Sequence, residues 1–169
     1  MELPVGSFIT ETLSKEVPDT ARTLLESNVK DEERHDLALG YVADVHGLDD
    51  KAENEAKLLR DAWIAHPDHT ILKALVAERA IFFVILPFNR FCGDAALRTV
   101  SADISRDEQI HVACNSLVCA DLGLRPSSSL DKLRKATINW IFEPLKTTAT
   151  NKYLNRKFWT DSSDRLMYE

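Results

Sequence analysis

The sequence predicts an all-α chain folded as one helical bundle, on three observations. Its 169 residues include only five glycines. Long stretches of Ala, Leu, Glu, Lys and Arg, all good helix formers, leave little of the two-residue alternation that marks strands. One hexapeptide also recurs with helical spacing, "KDEERH" at 30–35 and "RDEQIH" at 106–111, each a basic residue followed by Asp-Glu-x-x-His. The length suffices for one domain with a sizeable core. Residues 1–150 read as that domain and 151–169 as a C-terminal tail.

The elements follow in order. Pro18-Asp19-Thr20 is a helix start, and apolar residues at Leu24, Leu25, Val29, Leu37 and Val42 carry one long helix over 19–46 to a stop at Gly47. Residues 51–65 form a shorter amphipathic helix that Pro67 breaks. From Thr70 to about Cys92 the chain is apolar nearly all round, which predicts a buried central helix with a kink at Pro87. Phe82, Phe83, Phe88 and Phe91 are expected in the core. Gly93-Asp94 turns the chain into a helix ending near Leu122, before Gly123. "RPSSS" at 125–129 is a connector, 130–147 another amphipathic helix, and the polar "TDSSDRLMYE" ending a mobile tail.

Composition narrows the partners. A formal charge of -6 and an isoelectric point near 5.4 argue against a broad nucleic-acid surface, which clusters Lys and Arg. The most apolar run, "AIFFVILPF" at 80–88, is too short to span a bilayer. Cys92, Cys114 and Cys119 are odd in number, with no signal-peptide pattern ahead of them and no zinc-site spacing. The expectation is therefore reduced thiols in a cytoplasmic setting.

The repeat extends beyond the hexapeptide to Asp-Glu-x-x-His-x11-Gly-Leu, with the copies 76 residues apart (108 − 32). The same offset relates Glu78, the one acidic residue of the central apolar helix, to Glu2. Each lies 30 residues ahead of its motif glutamate (2 to 32, 78 to 108). Glu11 and Glu16 are rivals to Glu2 from the same segment, but lie nearer the turn at Val17-Pro18.

Residues three apart on a helix share a face, so Glu32 with His35, and Glu108 with His111, can each converge on one point. Glu78 and Glu108 each lie 15 residues from Gly93 on opposite sides of it, which places them at one height in a helical hairpin. Four carboxylates and two imidazoles make a hard, oxygen-rich donor set suited to two Fe or Mn ions rather than to structural zinc. One Glu from each of two helices and Glu-x-x-His from two others is the ligand pattern of ferritin-like di-iron and di-manganese bundles. The expected metal ligands are Glu2, Glu32, His35, Glu78, Glu108 and His111. An unpaired carboxylate is costly inside an apolar helix, which makes Glu78 the most informative of them. Asp31 and Asp107 are surface charges by default. Beside ligand histidines a carboxylate commonly orients the imidazole, and Asp107 is the stronger candidate for that role.

Residues 78–111, "ERAIFFVILPFNRFCGDAALRTVSADISRDEQIH", resemble the small, radical-generating subunit of class I ribonucleotide reductase. The likeness lies in a Glu opening an aromatic-rich buried helix, followed by a helix leading into "RDE-x-x-H". Glu2 and "DEERH" are similar to that family's first half, so the resemblance covers roughly residues 1–123. It implies Glu2, Glu32 and His35 on one ion and Glu78, Glu108 and His111 on the other, with Asp107 hydrogen-bonded to the ligand histidine of the opposite half. It further implies a homodimer, a large-subunit partner, and a reduced metal pair, iron or mixed manganese and iron, that activates O2.

Three departures qualify the resemblance. Leu39 stands where the family carries its radical tyrosine, and Tyr41 faces elsewhere. The chain has about half the family's usual length, as a fragment, one part of a split subunit or a compact relative would. Only "RLMYE", with Tyr168, is similar to the tail that docks on the large subunit. Three functions stay open: a reductase-like O2-activating protein, a stand-alone oxygenase or oxidase with a small or apolar substrate in a pocket lined by Phe82, Phe83, Leu39 and Ile110, and a non-enzymatic metal-binding relative.

Overall fold

The computed structural model describes residues 4–15, 17–47 and 49–168. Among them eight α-helices follow in order: α1 (Val5–Leu13), α2 (Asp19–His46), α3 (Asp50–Ala65), α4 (Thr70–Ala77), α5 (Phe83–Cys92), α6 (Ala95–Asp121), α7 (Ser128–Ile141) and α8 (Arg156–Tyr168). A π-helical turn, Glu78–Phe82, joins α4 to α5, and a 3-10 turn, Lys152–Leu154, precedes α8. The described residues contain no strand, only an isolated bridge between Lys146 and Asn155. No described helix is long and apolar enough to cross a membrane.

The helices begin and end where local chemistry dictates. The Pro18 carbonyl accepts from the Ala21 and Arg22 N–H groups to start α2. Asp49, Asp94 and Ser127 cap α3, α6 and α7 with side-chain oxygens. Gly47 and Gly123 lie in the left-handed region, at φ 76° and 65°, so the glycine closing each repeat copy is a helix stop. Gly93 is required by close approach, since a Cβ there would sit 2.4 Å from the Asn89 carbonyl oxygen.

Four helical segments close into a ring: α1 packs on α2, α2 on α6, α6 on the α4–α5 segment, and α4 back on α1. The short α1 buries Val5, Phe8, Ile9 and Thr12 at helical spacing, and the Thr12 and Thr70 hydroxyls bond at 2.8 Å across to α4. Outside the ring, α3 and α7 meet through the buried Trp63 indole, which donates to Thr137 at 3.0 Å. Lys73 lies inside the apolar run, with its ammonium donating to the Ile64 and His66 carbonyls at the end of α3.

Several expectations are corrected. The central helix departs from α geometry at Glu78–Phe82, ahead of Pro87, which lies inside α5. Of the apolar residues expected to carry α2, Leu25 is fully buried while Leu24 and Leu37 are exposed. Phe91 is 55% exposed, stacked on Tyr153, and Phe82, Phe83 and Phe88 are half-buried rather than central. Helix α7 stops at Ile141, because Pro144 disfavours helix at the residue before it. The ending expected to be mobile is helical: α8 buries Trp159 and Ser163, with Trp159 stacked on Phe142 and edge-on to Phe88. The polar look of this segment arises because its Asp and Arg residues lie beside the few side chains that anchor it.

Candidate metal centre

Helix periodicity places the motif residues. Glu32 and His35 lie one turn apart on the inner face of α2, Glu108 and His111 likewise on α6, and Glu78 opens the π turn facing them. Oxygens of Glu32, Glu78 and Glu108 and a ring nitrogen of His111 all lie within 4.8 Å of one another, and all four residues are buried. His35 adjoins this group, with Nδ1 3.4 Å from Glu108 Oε1 and 3.6 Å from Glu32 Oε1. The His111 Nδ1 lies 3.2 Å from the same Glu32 oxygen, 3.7 Å from Glu108 Oε2 and 3.9 Å from Glu78 Oε1. Glu32 and Glu108 therefore stand between two imidazoles whose centroids are 5.8 Å apart, with Glu78 on the His111 side.

The outer nitrogens are tied crosswise. His35 Nε2 bonds Asp107 Oδ2 at 3.1 Å, and His111 Nε2 bonds Asp31 Oδ2 at 3.2 Å. Each aspartate thus precedes the glutamate of its own motif and holds the histidine of the other. Asp31 also pairs with Arg34 on its exposed side. An Nε2–H donated to carboxylate leaves Nδ1 as the nitrogen aimed inward, the one that would ligate a metal once its own proton is lost.

Asn115, fully buried, donates from Nδ2 to Glu78 Oε2 at 2.6 Å and leaves Oε1 facing the cluster. It was not anticipated, although it stands four residues after His111 and so on the same face of α6. The corresponding residue after His35 is Leu39.

Most of the unpartnered buried polar atoms face inward, the others being Asn28 Nδ2, Ser101 Oγ and Asn115 Oδ1. Glu32 Oε1, His35 Nδ1, Glu78 Oε1, both Glu108 oxygens and His111 Nδ1 are buried without a hydrogen-bond partner. Orphaned polar atoms are rare in a folded core and strongly unfavourable there, so the convergence of those of Glu32, Glu78, Glu108 and His111, with His35 beside them, fits a site that could hold a cation. In the metal-free chain the charges adjust among themselves. Burial pulls the His35 and His111 pKa values down but is outweighed by Glu108 and Glu32, which push them up to about 10 and about 11. Burial raises Glu32, yet the nearby His35 and His111, paired with it as ions at 3.6 and 3.2 Å, bring it below the usual carboxylate value. Glu78 goes the other way, raised well above that value by burial first and then by the charge of Glu108.

Glu2 and Glu16 lie outside the described residues. Glu11 is exposed on α1 and pairs with Lys15. Helix α1 still touches the site, because Gly6 approaches Glu32 so closely that a Cβ would lie 3.3 Å from that side chain's Cβ. Of the side chains expected beside the metals, Leu39 lines a largely apolar cleft of about 690 Å³ with Val42, Ile85 and Ile141 but also His46, Glu55 and Glu143, and none of the site's carboxylates or imidazoles lines it. Ile110 is instead exposed on α6, and so is Tyr41 on α2.

No family model matches the chain, and no curated protein or solved structure is significantly similar to it.

Proposed function

We propose that this chain is a di-metal carboxylate protein that activates O2, holding two ions of iron, or of manganese and iron, among Glu32, His35, Glu78, Glu108 and His111. The observation that carries the reading is the set of buried, inward-facing donor atoms without partners. Three carboxylates and two imidazoles suit hard, redox-active ions, and two imidazoles on opposite sides of two shared carboxylates suit a pair better than a single ion. When bound, such a pair would supply the electrons for O2 reduction.

The protein's own residues do the rest. Asp31 and Asp107 hold the imidazole rings with Nδ1 inward, and Asn115 fixes the orientation of Glu78. Ala77, Ile81, Ile104 and Cys114, each within four residues of a site residue along its helix, are buried apolar neighbours in sequence, while Glu32 borders a cleft of about 530 Å³ lined also by Pro4, Val5 and Gly6. Similarity to the ribonucleotide reductase small subunit extends the proposal to a homodimer and a large-subunit partner.

Leu39 favours a second reading. An aliphatic residue one turn from His35 removes the tyrosine at that place and opens onto a largely apolar cleft, as a stand-alone oxygenase or oxidase with a small apolar substrate would require.

The test is anaerobic loading with Fe(II), counting of bound metal per chain, then admission of O2 while the near-ultraviolet spectrum is followed. The expected result is two irons per chain and new charge-transfer absorption after O2, both lost in Glu78→Ala. No stoichiometric metal, or an unchanged result in that variant, overturns the proposal. Dependence of turnover on a large subunit then separates the two enzyme readings.

A further inference from the structure

Glu78 owes its place to a distortion. The Phe83 N–H reaches back five residues to the Glu78 carbonyl, so the helix is wide by one residue where the ligand sits. If this turn relaxed to α geometry, Glu78 would rotate by about 100° relative to the Val84 and Leu86 face, since each residue advances a helix by that angle. The wide turn lets the carboxylate and the buried apolar face both keep their places, and a contact from outside the helix would hold the extra residue.

The candidate for that holding contact comes from the C-terminal segment. Ser163 on α8 is fully buried and donates its hydroxyl to the Ala80 carbonyl, inside the wide turn, at 2.6 Å. The same hydroxyl accepts from Arg134 Nη1 at 2.6 Å. The guanidinium of Arg134, itself fully buried, is held by Asp131 at 2.6 Å and by Asp164 at 2.7 Å. Tyr168, at the end of α8, closes the network by donating to Asp131 at 2.5 Å. Both α7 and α8 pack directly on the π turn. A charged, desolvated network of this kind is strongly directional, and its innermost bond ends on the backbone two residues from Glu78.

We infer that α8 is a clamp on the metal centre, with Ser163 and Arg134 as positioning residues that hold the wide turn and so aim the Glu78 carboxylate. This rests on the proposed metal-binding role of Glu78 for its consequence, but not for the clamp itself. Neither residue touches the cluster; both act through the backbone at Ala80.

The experiment compares wild type with Ser163→Ala, Ser163→Thr and Trp159→Phe in the full chain. Trp159→Phe loosens α8 through its aromatic contacts while keeping the serine hydroxyl. Two quantities are measured: Co(II) affinity with its visible spectrum, and amide hydrogen exchange over residues 78–84 in the metal-free protein. Ser163→Ala should weaken Co(II) binding roughly 10-fold, the lower range for loss of a group that supports a ligand. It should also change the spectrum and speed exchange in the turn, and Ser163→Thr should restore all three. Equal affinity, spectrum and exchange in Ser163→Ala overturn the clamp, as does an equal loss in Trp159→Phe, which would make the effect one of general stability. Should Ser163→Ala fail to fold, Asp164→Asn on the more exposed rim must show a smaller loss of the same kind, and unchanged values there also refute it. If wild type binds no Co(II), the metal proposal falls and the clamp is judged by exchange alone.

Discussion

Replacing Glu78 by glutamine should stabilise the metal-free protein while abolishing the proposed metal binding. In the metal-free chain Glu78 is fully buried, with Oε2 bonded to Asn115 and Oε1 without a hydrogen bond, and burial with the anionic neighbours Glu108 and Glu32 outweighs the cationic His111 at 3.9 Å. Glutamine keeps a carbonyl for Asn115, loses the charge, and offers an N–H to the neighbouring carboxylates. Relief of one unsatisfied buried polar group is worth about 1–3 kcal/mol. For a chain of this size that corresponds to a rise in Tm of roughly 2–12 °C.

The pH dependence has a definite sign. The folded pKa of Glu78 is raised above its ordinary 4.5, so its contribution to stability is complete below that value and is lost as pH rises through the folded one. Glutamine does not titrate, and its advantage should therefore be small near pH 5 and larger at pH 8. Saturating Mn(II) should reverse the order, because a ligand at about 1,000 times its Kd adds about 4 kcal/mol to the form that binds it. Thermal melts by circular dichroism, in chelator at both pH values and then with Mn(II), supply the assay. A Glu78→Gln protein that melts below wild type in chelator at pH 8, or that Mn(II) stabilises as much as wild type, would refute the reasoning.

Other consequences are open to direct measurement. With pKa values near 10 and 11, His35 and His111 both carry a proton at pH 7.5 in the metal-free chain, so loading should release one proton from each; calorimetry in buffers of different ionisation enthalpy counts them, and no release would contradict the assigned charges. The stability these two raised histidines lend the metal-free fold is complete below pH 6.5 and should disappear as pH rises through 10 and 11. Asp31→Asn and Asp107→Asn should each lower metal affinity by about 10- to 100-fold by competition with a chelating dye, and equal effects are expected because the two bonds are matched in length. In native protein a thiol reagent should modify Cys92 alone, since Cys114 and Cys119 are buried and burial raises the Cys119 pKa to about 12; denaturant should expose all three.

Much of the framework is written locally. Capping residues, Gly47, Gly123 and the spacing of apolar side chains depend on neighbours within a turn or two, so the bounds of α2, α3 and α6 are legible in the sequence. The doubled Glu-x-x-His likewise needs only helix periodicity to put each pair on one face. Glu78 is conspicuous for its apolar surroundings alone.

Tertiary structure decided everything that depends on which faces meet. The contact of Asp31 with His111, 80 positions apart, is encoded by no local pattern, and that of Asp107 with His35, 72 apart, was expected only from the family resemblance. Asn115 acquires meaning only once α6 lies against the π turn, and α7 and α8 pack on that turn from the other end of the chain. The same reason explains the misjudged C-terminus. Trp159 and Ser163 are two anchors in a polar stretch, and their burial follows from a cavity supplied by Phe88, Phe142 and Ala80, which only the folded chain assembles.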